Sequence, residues 1–359
     1  MDKISADSGV SAVVMNYYSR LDHSRITFDF MLNEEPALDI RAYIESRGSK
    51  IFVMPALKAA NTFRYIRALK EFYKTNDYKI IHGHVANSAV FYLGLAKNAP
   101  HRLIHSHSTR SSDVFLKRVR NRFLIMFIKS VATGYLACSK EAAGFLFGKA
   151  ENVTIISNAI YAGKYTFSSE KREEIRSSLG LKDEFVIGHV GRFSAGKNHS
   201  FLIDVFQEIY KLNEDVRLIL TGVGELYEEI AQKVKKLGLS DAIIFVGISD
   251  SIPAFMSAMD IFVLPSLFEG FGLVCVEAQA SGLSVLASDN VPRVIDISGK
   301  VEFLSLDRSL WAKKLMSLSA NRDAGEKREN KVAGGMFDIE TQAPRLCEYY
   351  ENLGDHGNV

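Results

Sequence analysis

Two carboxylates, Glu269 and Glu277, stand with seven residues between them in P-S-L-F-E-G-F-G-L-V-C-V-E-A, residues 265–278. An apolar run, Ile261–Leu264, precedes them, and another, Leu283–Ala287, follows. The pattern predicts a strand ending at Pro265, a glycine turn, and a helix to about Ala280 with Gly282 at its C′ position. A helix that starts at a strand end offers free backbone N–H groups and a positive dipole end, which suit a phosphate. Gly270 and Gly272 let the backbone approach closely. A carboxylate is a good acceptor for sugar hydroxyls. Glu269 would sit beside the anion and Glu277 about two turns into the helix. Such a pair suits a nucleotide sugar, with one acid on the ribose and the other on the second sugar. A solvated glutamate on an ordinary helix explains either residue alone, but not the whole setting.

A second candidate is G-H-V-G-R-F-S-A-G-K-N-H, residues 188–199. The strand Phe185–Val190 ends in Gly191-Arg192, and Lys197 lies on the following turn before a helix. Two cations at such a crevice would neutralise a diphosphate leaving group. The competing account is solvated surface. L-T-G-V-G-E-L (220–226) places Gly222 in a phosphate-loop-like turn, and F-V-G-I-S (245–249) places Gly247 where backbone groups could meet a nucleobase. Either could be no more than a tight turn into the next helix.

Two H-x-H pairs, His82-Gly-His84 and His105-Ser-His107, fall at strand ends. Alternation puts the members of each pair on one face, where a metal site is conceivable. No third acidic or cysteine ligand is nearby, so a polar crevice lining is preferred, with His107 bonding a sugar hydroxyl or phosphate. No metal is expected. D-x-D occurs nowhere, so cations and helix dipoles must do the work of a divalent clamp. Residues 115–129, F-L-K-R-V-R-N-R-F-L-I-M-F-I-K, carry five basic side chains and no acidic one. As a helix they suit an anionic membrane surface, or equally a core helix whose cations snorkel to solvent.

The elements that must position these residues follow from the pattern of the chain. Short β-branched runs alternate with amphipathic stretches. Strands are expected at Thr27–Leu32, Lys79–His82, Arg102–Ser106, Gly134–Ala137, Val153–Ile156, Phe185–Val190, Arg217–Thr221, Ala242–Val246, Ile261–Pro265 and Leu283–Ala287. Helices fall between them, among them Ser11–Leu21, Ala59–Thr75, His199–Leu212 and Glu225–Leu237. Parallel sheets covered by helices follow. With 359 residues, two domains are natural, and the polar stretch Ser157–Ser169 is the expected boundary. We assign residues 1–160 to one Rossmann-like domain, 161–336 to a second, and 337–359 to a helix packing back on the first. Only Met1–Ile4 precede the first glycine loop and its helix, so the opening strand of the first domain is expected to be missing, with Met1 an internal methionine of a longer chain. The chain is 47% hydrophobic and 24% charged with a net charge of +2, which argues against a nucleic-acid partner. Its three cysteines are far apart, and no apolar run reaches the roughly 18 residues of a membrane span. A cytoplasmic protein is expected.

In combination these residues resemble the retaining family 4 glycosyltransferases of GT-B fold, especially members that build bacterial capsule and exopolysaccharide. The resemblance rests on P-S-x-x-E-G-F-G-x-x-x-x-E-A preceded by V-G-R-F-x-x-x-K-N. It extends to S-G-V-S-A-V-V-M-N-Y-Y near the start, H-S-H-S-T, L-A-C-S at 136–139 and E-A-Q-A-S-G-L. It implies an α/β chain of two Rossmann-like doubly wound domains facing across a cleft. It implies a nucleotide-sugar donor, usually UDP-linked, held mainly by the second domain, and no cofactor. Arg192 and Lys197 match the diphosphate-binding pair, Glu277 the ribose carboxylate and Glu269 the acid that meets the donor sugar. Phe271, Gly272 and Leu273 match backbone donors, His107 the first-domain histidine near the sugar, and Gly9 the first glycine loop. The acceptor is expected to be a lipid-linked sugar or saccharide, with the enzyme peripheral on the inner membrane face. An epimerase or phosphorylase of the same fold, or a non-catalytic partner subunit, are the alternatives.

Overall fold

A computed structural model describes residues 3–4, 8–108, 121, 124–148, 152–321 and 328–355. Of the basic stretch singled out above, Lys117, Arg118, Arg120 and Arg122 lie outside the described residues. The chain forms two compact units. The first comprises Met1–Ala159 together with Ile339–Val359, and the second Ile160–Asp338. Among the described residues, no helix is long and apolar enough to cross a membrane.

In the first unit, β1 (Phe30–Leu32) and β2 (Ile51–Val53) pair in parallel. A separate parallel sheet runs in the order β3-β4-β5-β6, with β3 at Ile80–Gly83, β4 at His101–Ser106, β5 at Gly134–Ala137 and β6 at Val153–Ile155. No described residue before the helix Gly9–Arg20 lies in a strand. That helix is started by Ser8, whose hydroxyl accepts from the Ser11 backbone N–H. Val14 and Tyr18 from it pack with Ile4, Phe30, Leu32 and Ile44. The buried Tyr18 hydroxyl is bonded by Ile44 O and Ser49 Oγ at 3.1 and 3.0 Å, which meets the need of a polar tip in an apolar setting. The helix Ile339–Asp355 belongs to this unit. Its Glu340 pairs with Arg20 at 2.6 Å and its Glu351 with Arg25 at 2.5 Å.

The second unit is a six-stranded parallel sheet in the order β12-β11-β10-β7-β8-β9. The strands are β7 (Phe185–Val190), β8 (Val216–Thr221), β9 (Ile243–Gly247), β10 (Ile261–Leu264), β11 (Ser284–Ser288) and β12 (Val301–Leu304). Fully buried strands read as continuous apolar runs, and β10 is buried at every position. The chain lays down β7, β8 and β9 outward, then returns across β7 to start β10, β11 and β12. The order therefore reverses between β7 and β10, which is where open α/β sheets bind ligands. Gly188 permits this pairing, since a Cβ there would come within 2.0 Å of the Met259 sulfur. Asp260, at the head of β10, gathers Arg172 at 2.7 Å, Arg176 at 3.5 Å and the Val186 N–H at 2.8 Å, so its buried charge is compensated.

Candidate active site

The loops that leave β7 and β10 at the switch point carry the central pair. After β7, Ala195–Lys197 form a tight 3-10 turn, and Asn198 takes a left-handed conformation (φ 58°) before the helix His199–Tyr210. Asn198 Nδ2 donates to Pro265 O at 3.1 Å, and Leu267 N–H to Gly196 O at 2.8 Å. The two loops are thus stitched together by one side-chain amide and one backbone N–H. Across that seam Lys197 Nζ donates to Glu269 Oε1 at 2.6 Å, and Ser266 Oγ donates to the same oxygen at 2.6 Å. Glu269 is 9% exposed. A cation and a hydroxyl thus both bond one oxygen of this buried carboxylate.

Immediately after Glu269 the helix Leu273–Ala280 begins at Gly272, which caps it with φ +94°, a conformation open to glycine at little cost. Cys275 N–H already donates to Gly272 O at 2.9 Å, and the N–H groups ahead of it, at the start of the helix, lie at the positive end of the helix dipole. The Phe271 side chain is turned into the core against Phe337, with ring centres 5.5 Å apart, so only its backbone is on offer. Glu277 lies on this helix and accepts a hydrogen bond from the Tyr165 hydroxyl. Burial raises its carboxyl to about 7, against the opposing pull of Tyr165 and Lys197.

The glycine turn after β8 supports the same loops. Gly222 has φ +134°, and a Cβ on it would meet Gly191 O at 2.2 Å. Its N–H donates to Gly247 O at 2.8 Å. The turn therefore braces the Gly191-Arg192 segment from one side and the end of β9 from the other. Arg192 Nε pairs with Glu225 Oε2 at 3.2 Å on the surface, so the two cations of the motif have different carboxylate partners. His189 and His199, from the same motif, are core residues. The His189 ring donates to Val263 O across the β7–β10 pairing at 2.8 Å, and burial holds His189 down at about 4.

The remaining sequence candidates lie in the first unit. Gly9 is the first residue of the helix Gly9–Arg20. His107 is buried, with Nδ1 2.7 Å from Asn158 Oδ1 and Nε2 2.8 Å from His84 Nδ1. No third acidic or cysteine ligand is expected beside the two H-x-H pairs, and the group they form holds histidines alone. Pairing of β3 with β4 sets His82 opposite Leu103 and brings the two pairs together, so that one ring nitrogen each of His82, His84 and His105 lie within 4.8 Å of one another. Tyr165, Ser266 and Asn158 bond Glu277, Glu269 and His107, roles that were not read from the sequence. Tyr165 sits inside the polar stretch read only as a boundary, with no local signal for its partner.

These loops are those of a known family. A family model described as "Glycosyl transferases group 1" matches residues 171–330, the span holding Arg192, Lys197, Glu269 and Glu277. EpsF of Bacillus subtilis (strain 168), provisionally named a glycosyltransferase, is 30% identical over 356 residues, covering 95% of this chain and 93% of that protein. The chain belongs to the group 1 glycosyltransferases. This glycosyltransferase is also 24% identical over 302 residues, 79% of its length and 76% of the relative's, to an Escherichia coli protein. That relative is named UDP-Gal:alpha-D-GlcNAc-diphosphoundecaprenol alpha-1,3-galactosyltransferase. HepE of Anabaena, solved in complex with UDP, superposes with a TM-score of 0.79 at 19% identity, covering 98% of both chains. The glycosyltransferase thus has the GT-B fold expected from its sequence.

Proposed function

We propose that the chain is a retaining enzyme that moves a sugar from a UDP-sugar to a hydroxyl of a lipid-linked or saccharide acceptor, in building a capsular or extracellular polysaccharide. The observation that carries this reading is the Lys197–Glu269 pair beside the start of the helix Leu273–Ala280, at the switch point of the second unit. Support for the donor comes from HepE with UDP and from the UDP-Gal-dependent relative; support for a lipid-linked acceptor comes from that relative's undecaprenol substrate.

In this reading Lys197 and Arg192 take the diphosphate, with the N–H groups of Phe271, Gly272 and Leu273 beside it. Glu277 accepts from the ribose hydroxyls, Glu269 from the donor sugar, and Gly222 and Gly247 let backbone close on the nucleotide. His107 and Gly9 serve from the first unit. The acceptor oxygen bonds to the anomeric carbon on the face from which the diphosphate departs. The C–O bond to the diphosphate breaks, and a phosphate oxygen takes the acceptor's proton. The cations and helix start stabilise the charge that develops on the leaving group, so no metal is assigned to the diphosphate. Attachment at the inner membrane face, through residues 115–129, belongs to the same proposal.

A thermal-shift screen of UDP-, GDP- and ADP-sugars tests the donor. UDP-sugars should raise Tm selectively, and Lys197→Ala should weaken their binding at least tenfold, about 1.4 kcal/mol. Equal affinity in wild type and in the Arg192→Ala, Lys197→Ala double variant would overturn the assignment.

A further inference from the structure

The four histidines at the ends of β3 and β4 form a tight group in the first unit. The β3–β4 register and two-residue alternation bring His82, His84, His105 and His107 to one face. Their rings lie close, with His82 and His84 centred 4.4 Å apart and His105 and His107 4.0 Å apart. What singles the group out is the state of each ring's second nitrogen.

His105 Nε2 lies 3.1 Å from Ile156 O. A carbonyl only accepts, so Nε2 carries the hydrogen and Nδ1 is left with a bare lone pair. That Nδ1 is buried and has no hydrogen-bond partner among the described residues, and His105 is only 3% exposed. His107 Nδ1 faces Asn158 Oδ1, and the Asn158 amide lies 3.5 Å from His107 O. His107 therefore donates from Nδ1 and accepts at Nε2 from His84 Nδ1, which leaves His84 Nε2 bare as well. His82 Nδ1 meets the Tyr350 hydroxyl, and its Nε2 is again buried without a partner. Unpartnered buried polar atoms are costly; His82 Nε2 and His105 Nδ1 are two of them, on rings that each bring a nitrogen within 4.8 Å of the other and of one from His84.

We propose that His82, His84 and His105 are the ligands of a single divalent cation of zinc type. Three neutral imidazoles with an open fourth position form a familiar zinc ligand set, and imidazole nitrogen suits zinc. The outer contacts agree, because a metal-bound histidine holds its other ring N–H on a fixed acceptor. Here those acceptors are the Tyr350 oxygen for His82, the Ile156 carbonyl for His105 and His107, itself anchored by Asn158, for His84. Zinc–nitrogen bonds of about 2.0–2.1 Å are compatible with nitrogens that already lie within 4.8 Å of one another. All three ligands lie in the first unit, whereas the proposed diphosphate residues lie in the second. Zinc binding is read without nucleotide, so it stands or fails independently of sugar transfer.

The test uses untagged full-length protein stripped with a chelator. Zinc chloride alone, titrated by calorimetry, should bind at one equivalent per chain. Cobalt chloride in its place should give the intense visible bands of a tetrahedral nitrogen-ligated ion. His84→Asn and His105→Gln should each abolish the site, and Asn158→Ala should weaken it about 10- to 100-fold. No saturable binding by wild type, or unchanged stoichiometry in a His82→Asn, His84→Asn, His105→Gln variant, would overturn the proposal. Should a variant fail to fold, the wild-type cobalt spectrum decides alone: weak bands like those of the hydrated ion would refute it.

Discussion

Glu277 is held between a burial that opposes its charge and two neighbours, Tyr165 and Lys197, that favour it. Burial dominates, and the carboxyl rises from its ordinary 4.5 to about 7. A carboxylate raised on folding binds more protons in the folded state than in the unfolded one across that interval. Its contribution to stability is therefore complete below about 4.5 and is lost as pH rises through about 7. The whole effect is on the order of 3 kcal/mol at most. Sugar hydroxyls need the ionised form as acceptor, so donor affinity should run the other way and strengthen over the same rise. Urea denaturation of wild type and Glu277→Gln across this range, with UDP calorimetry alongside, checks both slopes. Parallel stability curves for the two proteins would refute the assignment. At this scale the sequence showed which residues could do chemistry but not their mutual contacts. Lys197 and Glu269 are each legible as strand-end residues. That each finds the other depends on β7 and β10 lying side by side, and no local pattern announces that. The same holds for Tyr165 on Glu277.

Glycine turns decide how the strands present these residues. At Gly222 both the positive φ and the lack of a side chain are needed, since an added Cβ meets Gly191 O at 2.2 Å and Gly191 C at 2.9 Å. Gly299 also has positive φ (+71°) but opens to space, with nothing within 4 Å of its Cβ. Gly299→Ala should cost about 1–2 kcal/mol, the penalty of the left-handed conformation alone. Gly222→Ala should cost more, about 3 kcal/mol or above, because backbone must move as well. It should also weaken UDP-sugar binding by shifting the Arg192 loop, whereas Gly299→Ala should not. Chemical denaturation and calorimetry of both variants measure the contrast, and equal losses of stability would show that Gly222 does not brace that loop. The longer buried strands were readable as apolar runs, and β5 and β7 fall at the expected residues. The pairs β1–β2 and β11–β12 show where reading stops. Ile51–Val53 spans three residues, and Val301–Leu304 holds Glu302 in a half-exposed edge. Neither carries enough local pattern to stand out from a loop, and pairing with a longer neighbour is what makes each a strand.

For the molecule as a whole, the chain leaves the first unit at Ala159 and re-enters it at Ile339. The apolar spacing of the final helix is visible in the sequence. The surface that receives it is not, because any apolar groove of either unit would satisfy that spacing. In the structure, Ile339, Ala343 and Leu346 are buried, Tyr350 meets His82, and Arg20 and Arg25 are paired from this helix. Burying each large aliphatic side chain is worth about 1.5–3 kcal/mol, so two of them approach the lower end of a domain's net stability of about 5–15 kcal/mol. The exposed ion pairs add little. A chain ending at Asp338 should therefore lose the first unit's cooperative unfolding while the second unit keeps its own, since every strand of the six-stranded sheet lies within Ile160–Asp338. Hydrogen exchange read by mass spectrometry checks this directly. Strands β3 to β6 should lose protection and β7, β8 and β10 should keep it. Uniform retention or uniform loss across both sheets would mean that the two units do not divide their stability in this way.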